Sequence, residues 1–191
     1  MKRIVLASQS PRRIELLSRL VEPFDVDESW ADEQSDETNP EKLAALLAER
    51  KAMDVFERNR DAVVIGADTV VAVGKRILGK PEDEAHAREM ILLLAGGEHF
   101  VYTGVCVVSK DFSKTVCCRT TVCFDKLSPS ETDAYIATGD WSDKAGAYGI
   151  QGEAAKYIKE IKGDYYSVMG LPLHALYKLL EEIRILYEYT L

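Results

Sequence analysis

The sequence predicts an α/β protein, in which strands and helices are mixed along one chain. Three observations support this class. Apolar runs of strand length occur at residues 4–7 and 63–71. A stretch with apolar residues at helical spacing follows the first run, at residues 14–21. Two alternating segments, 99–108 and 115–124, are separated by a short polar stretch, which is the pattern of a β-hairpin.

Composition and charge narrow the class of ligand. The 191 residues are 47% hydrophobic and 29% charged, which is typical of a globular protein. The net charge of -8 argues against a general nucleic-acid surface, because a phosphate backbone is bound by a broad basic face. A small anion needs only a local basic pocket, so the net charge does not exclude a small anionic substrate. The four cysteines, at 106, 117, 118 and 123, lack the spacing of a disulfide framework or a zinc site.

The first strand and helix predict an anion site. Ser10 is a good N-cap and Pro11 a good first helical residue. Arg12 and Arg13 lie in the first turn, where the helix dipole disfavours cations by ~0.3 to 1 kcal/mol each. Backbone amides, serine hydroxyls such as that of Ser8, and guanidinium groups would together bind a phosphate. The alternative is that both arginines are solvated or pair with acids such as those at positions 15 and 32.

The next elements are a strand around residues 24–26, an acidic loop, and a helix that starts at Asn39-Pro40 and runs to about residue 56. We expect most loop acids to be solvated, although Glu28 or Glu33 could reach a metal. Lys51 lies near the middle of the helix. A lysine in a helix is usually solvated, so Lys51 alone indicates little.

The central stretch, residues 63–81, carries the first candidate for chemistry. Asp68 and Thr69 lie between two apolar runs, and a carboxylate there would be buried unless it had a cation, a metal or a hydrogen bond. A turn at Gly74-Lys75 would bring Lys80 back beside Asp68, as a carboxylate and ammonium pair in one cleft. The alternative is that Asp68 ends a strand and binds a neighbouring backbone amide.

We predict that the remaining helices and strands form a scaffold around one glycine-rich loop. We predict a helix at 83–95, the hairpin, a short helix that Ser128 to Glu131 start as a capping box, a strand at 156–161 and a closing helix at 172–187. Residues 143–152 contain three glycines, which permit close approach of the backbone to a ligand, and Gln151 offers an amide that can read a base edge. The alternative is a merely flexible loop.

No apolar run approaches the length of a membrane span, and residues 4–7 are too short for a signal peptide. We therefore expect a cytoplasmic protein with no membrane partner. The sequence leaves open whether it forms a homodimer.

Five short segments, taken in order, are more specific than any one of them. They are Ser8 to Arg13, Ala67-Asp68-Thr69, Gly79-Lys80-Pro81, residues 143–152 and Gly163-Asp164-Tyr165-Tyr166. In this order they closely resemble the Maf family of nucleoside triphosphate pyrophosphatases, over nearly the whole chain. The resemblance implies an α/β fold with an elongated, bent mixed β-sheet flanked by helices, and a cleft between two lobes of a single domain, residues 1–191, similar to the inosine triphosphate pyrophosphatases.

The resemblance also implies an activity and roles for residues. The activity is hydrolysis of dTTP and UTP to the monophosphate and pyrophosphate, with Mg²⁺ or Mn²⁺ as cofactor. Glu33 would be the loop acid that binds the metal together with Asp68, although Asp32 or Glu28 could substitute. The other roles are proton acceptor for Asp68, phosphate handling for Ser8, Arg13, Lys51 and Lys80, and substrate choice for Arg12, Thr69 and Gln151.

Two rival functions stay open at this point. The family name comes from an effect on septum formation, so a regulator that binds nucleotide without turnover, linked to arrest of cell division, is one of them. The other is a house-cleaning pyrophosphatase that acts on modified nucleoside triphosphates.

Overall fold

The computed structural model describes residues 2–183 and confirms the α/β class. Short 3₁₀ turns occur at Ala145–Ala147 and Glu153–Tyr157. The strands are β1 (Ile4–Leu6), β2 (Asp25–Val26), β3 (Val63–Val73), β4 (Arg76–Leu78), β5 (Glu98–Ser109), β6 (Phe112–Phe124) and β7 (Ile158–Lys162). The helices are α1 (Pro11–Ser18), α2 (Pro40–Arg58), α3 (Glu84–Leu94), α4 (Pro129–Ala137), α5 (Tyr165–Met169) and α6 (Leu173–Glu182).

The strands form one mixed sheet. Its order is β2-β1-β3-β5-β6-β7, and β4 pairs with the far end of β3. β1 is parallel to both β2 and β3, while the pairs β3–β5, β5–β6 and β6–β7 are antiparallel. β3 is a continuous strand of eleven residues, and Asp68 is paired within it opposite Gly104. The carboxylate therefore lies in the middle of a strand, and the alternative of a strand-end residue was wrong.

The two faces of β3 have different neighbours because side chains alternate along a strand. Val63, Ile65 and Ala67 pack in a core with residues of α1 and α6. On the other face, Val64 packs with Ala48 and other residues of α2. Asp68 is even-numbered like Val64, so it shares the face that α2 covers.

Helix α2 lies unusually close to the sheet. A Cβ placed on Gly66 of β3 would come within 2.6 Å of the backbone nitrogen of Ala52, and one placed on Gly104 of β5 within 2.6 Å of the carbonyl carbon of Ala44. Ala44, Ala48 and Ala52 are completely buried and follow one another at helical spacing. Glycine on the sheet and alanine on the helix therefore allow the two backbones to meet.

Most helix ends agree with the sequence prediction, with one exception. Asn39 accepts hydrogen bonds from the backbone of Glu41 and Lys42, and Ser128 forms the predicted capping box with Glu131. Ser10 precedes α1, but its side chain makes no capping hydrogen bond. Ser10 and Pro11 do hold the predicted N-cap and first helical positions, and only the expected side-chain bond is missing.

Other boundaries shift because local pattern does not determine them. The hairpin turn is tighter than predicted, with β5 ending at residue 109 and β6 starting at 112. β7 starts at residue 158, after a 3₁₀ turn, and the short helix α5 was not predicted at all. α6 ends at residue 182, and the part of the predicted closing helix beyond 183 lies outside the described residues. No helix in residues 2–183 is long and apolar enough to cross a membrane.

A histidine is buried at the start of β5. His99 is 1% exposed, stacks on Phe124 and has its Nε2 atom 2.7 Å from the hydroxyl of Tyr148. In the described part of the chain its Nδ1 atom has no hydrogen-bond partner. Burial lowers the pKa of His99 from 6.5 to about 4, because the charged ring would lose its hydration. The imidazole is therefore neutral in the folded protein at pH 7.

The approach of α2 to the sheet predicts that Gly66→Ala is destabilising. The added methyl would meet backbone atoms that cannot rotate away, so we expect a loss of about 1 to 3 kcal/mol in the free energy of unfolding. Gly97→Ala is the matched control, since its Cβ would meet only the carbonyl of Leu94 at 3.7 Å. Urea denaturation of both variants checks this. Equal stability of the two would show that the helix can move away from the sheet without cost.

The buried histidine predicts a loss of stability in acid. As the pH falls below 6.5, the unfolded chain takes up the proton while folded His99 stays neutral, so stability decreases until the pH reaches about 4. Between pH 7 and pH 5 this contribution is about 2 kcal/mol. His99→Gln has no titrating group, so its urea denaturation should depend less on pH than that of the wild type. Identical pH dependence of the two proteins would contradict the assignment.

Candidate active site

A cleft of about 860 Å³ opens where one edge of β3 has no neighbouring strand. β1 pairs with β3 as far as Ile65, and β4 pairs with β3 from Val71 onwards, so residues 66–70 lie between the two. The chain leaves β1 towards this gap, and it leaves β4 towards the gap from the opposite end. Ser8 and Lys80 follow these two strands and therefore line the same cleft. The volume is typical of a site for a small molecule.

At the floor of the cleft, the ammonium of Lys51 binds two carboxylates. Its Nζ atom is 2.6 Å from Asp68 Oδ1 and 2.8 Å from Glu33 Oε1. Asp68 is 8% exposed, and the Lys51 side chain is 14% exposed. Burial would raise the pKa of Glu33, but the hydrogen bond and charge of Lys51, with the charges of Lys80 and Arg13, lower it below its ordinary value. The three groups form a compact cluster of alternating charge.

This cluster corrects the predicted pairing of Asp68. Lys80 lies in the same cleft, but it is exposed at the rim, and the ion pair of Asp68 is made by Lys51. Lys51 is also not the solvated helix residue that its position suggested. The reason is the contact of α2 with Gly66, which carries the helix over the same face of β3 that bears Asp68.

Arg13 lies on the opposite face of β3. Its Nε atom donates to the carbonyl of Gly170 at 2.9 Å, and its two other nitrogens lie 3.4 Å from the hydroxyls of Ser8 and Thr69. Burial lowers the pKa of Arg13, although the charge of Asp68 opposes this. Arg13 is thus held by the structure in advance of any ligand.

Two residues of this arrangement carry no signal in the sequence. The hydroxyl of Thr103 lies 3.1 Å from that of Thr69 and donates to the carbonyl of Ser167 at 2.7 Å. Thr103 and Gly170 therefore support Thr69 and Arg13 from β5 and from the end of α5. The register of β3 against β5 places Thr69 opposite Thr103. No sequence motif indicates strand register.

The other predicted substrate residues lie at the rim. Arg12 is 3.4 Å from a carboxylate oxygen of Asp143 and therefore pairs with neither of the two acids considered from the sequence. Gln151 is exposed and lines the cleft, on the loop that follows the 3₁₀ turn at 145–147. The structure thus brings all the predicted site residues to one cleft. Those residues are Ser8, Arg12, Arg13, Glu33, Lys51, Asp68, Thr69, Lys80 and Gln151.

The donor set fits a divalent cation that is shared with a substrate. Asp68 and Glu33 converge on one point, where the Lys51 ammonium lies. Mg²⁺ is commonly held by one or two carboxylates together with substrate phosphates and water. No cluster of three or more His, Cys, Asp or Glu side chains suited to a metal occurs within residues 2–183, so the protein alone would not complete the shell.

The alternative loop acids are placed differently. Glu28 lines the cleft, and its backbone carbonyl accepts a hydrogen bond from Arg58. Asp32 is not among the residues that line the cleft, and its carboxylate accepts from the backbone of Gln34. Among the described loop acids, only Glu33 binds the Lys51 ammonium, which also binds Asp68. Glu33 is therefore the best placed of the three.

The cysteines take no part in this site. All four are free and lie on β5 and β6, and burial raises the pKa of Cys106 to about 11. They are not among the residues that line the cleft.

A buried carboxylate beside an ammonium, with a guanidinium and further cations around it, suits a ligand that carries several phosphates and a water to be activated. The fold and the site thus define an α/β protein with a cleft for a small phosphorylated molecule. Comparison with known proteins is more specific, since residues 3–183 match the family described as Maf-like protein. The chain belongs to the Maf family.

Curated relatives match along almost the whole chain. A protein of Bacillus cereus (strain ATCC 10987 / NRS 248), named dTTP/UTP pyrophosphatase, is 47% identical over 97% of this chain and 92% of its own length. A protein of Bacillus anthracis (strain CDC 684 / NRRL 3495) with the same name is 46% identical over 97% of both chains. Among solved structures, a nucleoside-triphosphatase / dITP/XTP pyrophosphatase from Mycobacterium abscessus aligns with a TM-score of 0.43 and 14% identity, over 72% of this chain and 95% of that one.

The rim position of Lys80 predicts a specific effect on polyphosphate binding. Lys80→Met should weaken binding of inorganic tripolyphosphate about tenfold and of orthophosphate less, because a charge-assisted hydrogen bond to one phosphate contributes ~1.5 to 3 kcal/mol. Lys75→Met is the matched control, as Lys75 lies at the turn of the same hairpin and outside the cleft. Calorimetric titration measures both. Equal weakening by the two substitutions would show that only net charge matters.

Proposed function

We propose that this protein is a nucleoside triphosphate pyrophosphatase that hydrolyses dTTP and UTP to the monophosphate and pyrophosphate. One observation carries the proposal: the side chain of Asp68 is 11% exposed and its carboxylate lies 2.6 Å from Lys51, in a cleft that Arg13 and Lys80 also line. That is the environment in which a base can act beside a polyanion. The activity named for the relatives from two Bacillus species supports the same conclusion.

The cationic residues would hold the phosphates. Arg13 is fixed by Gly170 and directed towards Ser8 and Thr69, so its guanidinium costs little to orient. Lys80 approaches from the other end of the gap, on the side of β4. Ser8 adds a hydroxyl and the start of α1 adds backbone amides. The leaving pyrophosphate develops negative charge, which these cations would offset.

The reaction requires one proton transfer. The water oxygen forms a bond to the α-phosphorus, the bond from that phosphorus to the oxygen bridging to the β-phosphorus breaks, and the electron pair leaves with pyrophosphate. Asp68 takes the proton of the attacking water. Lys51 orients the carboxylate through the 2.6 Å contact and offsets its charge. A carboxylate so held is directed at one position, which favours attack on one phosphorus.

A divalent cation, Mg²⁺ or Mn²⁺, completes the proposal. Asp68 and Glu33 would hold it together with the phosphates, and it would supply charge and a more acidic bound water. Asp68 and Glu33 each use one oxygen to bind the Lys51 ammonium, so the metal would take the other oxygens, Asp68 Oδ2 and Glu33 Oε2.

Gln151 would recognise the nucleotide base at the rim of the cleft, and Arg12 and Thr69 would also contribute to substrate selectivity. The amide of Gln151 can donate to a carbonyl and accept from the N3 proton of uracil or thymine. Cytosine has no proton at that nitrogen, and it carries an amino group in place of O4. One mismatched hydrogen bond costs ~1 to 3 kcal/mol, which corresponds to roughly 5- to 150-fold discrimination.

Product analysis tests the proposal. Wild-type protein should release equimolar pyrophosphate and monophosphate from dTTP and UTP, and in ¹⁸O-labelled water the label should enter the monophosphate, because the attack is on the α-phosphorus. Asp68→Asn should reduce kcat by about 10² to 10⁴ and retain nucleotide binding. Glu57→Gln, which removes an exposed carboxylate from the same helix as Lys51, is the control.

Two outcomes would contradict this assignment. Tight binding of UTP with no release of pyrophosphate would favour a regulator without turnover. Label in the pyrophosphate would place the attack on the β-phosphorus, and Asp68 would then not be directed as described.

A further inference from the structure

The loop that carries Gln151 is a short turn between the 3₁₀ turns at 145–147 and 153–157, closed by one backbone hydrogen bond from the N–H of Gly152 to the carbonyl of Gly149 at 3.1 Å. Such a side chain discriminates between bases only if its backbone is fixed, because a loop that adapts would bind either base. Ile150 anchors the middle of this turn in the core, so the glycines on either side of Ile150-Gln151 need contacts of their own.

Two side chains occupy the space beside the glycines that flank Ile150-Gln151. A Cβ on Gly149 would come within 2.6 Å of the Cε atom of Lys144, and a Cβ on Gly152 within 2.8 Å of the carboxyl carbon of Asp140. These glycines therefore reflect tight packing against Lys144 and Asp140.

Polar contacts attach the same two residues to each other and to the loop. The Lys144 Nζ atom lies 3.0 Å from Asp140 Oδ1, and the other carboxylate oxygen of Asp140 accepts from the backbone N–H of Glu153 at 3.0 Å. The Lys144 side chain is 13% exposed and that of Asp140 is 24% exposed. The pair thus holds the loop at both of its ends.

The network continues to the opposite wall of the cleft. Lys144 also binds Asp143 Oδ1 at 2.6 Å, and the other oxygen of Asp143 is 3.4 Å from Arg12. Burial would raise the pKa of Asp143, but Lys144 and Arg12 lower it, so the carboxylate stays charged. Four polar contacts therefore connect Arg12, at the start of α1, to the backbone just after Gln151.

We propose that Asp140 and Lys144 are positioning residues that determine selection of the pyrimidine base, by fixing the Gln151 loop and coupling it to Arg12. The inference rests on the proposed function and goes beyond it, since the proposed function gives Asp140 and Lys144 no part in proton transfer or phosphate binding. The two carboxylates beside Lys144 already balance its ammonium. It therefore differs from Lys80, which is exposed at the rim and available to phosphate.

The experiment compares kcat/KM for UTP and CTP in a set of variants. Lys144→Met retains the aliphatic chain that packs on Gly149 and removes the charge, and Asp140→Asn retains the shape of the carboxylate and removes its charge. Lys144→Arg retains a charge. Glu89→Gln breaks an ion pair with Arg76 at 2.8 Å, outside the cleft, and is the matched control.

We expect the UTP to CTP ratio to fall by about fivefold or more in Lys144→Met and Asp140→Asn, in the direction of Gln151→Ala. Lys144→Arg should restore part of the ratio, and Glu89→Gln should leave it unchanged. In the double variant Lys144→Met/Gln151→Ala the ratio should fall no further than in Gln151→Ala alone, because both substitutions remove the same interaction.

Three results would overturn the inference. An equal loss of kcat/KM for both nucleotides in Lys144→Met would make Lys144 a phosphate ligand. Additive losses in the double variant would mean that Lys144 acts independently of Gln151. An unchanged ratio in both single variants would mean that the loop is fixed by other contacts.

Failure of the proposed function is a separate outcome. It would be seen in the wild type, as no release of pyrophosphate from UTP. Thermal unfolding of each variant identifies any that does not fold. If Asp140→Asn is one of these, Lys144→Met, which conserves the packing, decides the result.

Discussion

The close contact between α2 and the sheet is the constraint on which the site depends. Ala44, Ala48 and Ala52 lie against Gly66 and Gly104, and a Cβ on either glycine would collide with the backbone of α2. Lys51 follows Ala48 by three residues along the helix, and Asp68 follows Gly66 by two along the strand. The packing that buries the alanines therefore also holds the ammonium 2.6 Å from the carboxylate. Stability of the core and geometry of the charged pair have one cause.

A second constraint is the gap along β3. A strand edge with both faces accessible allows Asp68, on the α2 face, and Thr69, on the face of Arg13, to line the same cleft. A strand that is fully paired and covered by helices would bury one of these two side chains away from the ligand. Because β1 and β4 each stop short, the segments that follow them bring Ser8 and Lys80 to the gap. The topology thus collects residues from distant parts of the chain without a long loop.

Charge inside the cleft is balanced locally, and the balance distinguishes three lysines. Lys51 is matched by Asp68 and Glu33, and Lys144 by Asp140 and Asp143, whereas Lys80 is exposed at the rim. A matched lysine positions the groups that it binds, while an exposed one can bind a new anion at small cost in desolvation. A protein with a net charge of -8 can in this way present a local site for a polyanion.

Local sequence pattern predicted most of the helices and strands, though not α5, and the chemistry of the candidate residues. The periodicity of apolar residues predicted the long helices and the hairpin. The residue types at Asn39 and Ser128 predicted helix caps, and the position of a carboxylate within an apolar run indicated Asp68 as a functional candidate. The sequence did not determine the partner of Asp68 or the supports of Arg13. Lys51 is 17 residues from Asp68, and the carbonyl of Gly170 is 157 residues from Arg13. Such pairs follow from strand register and from the distance between helix and sheet. Both are set by packing of the whole core, and local spacing along the chain carries no information about them.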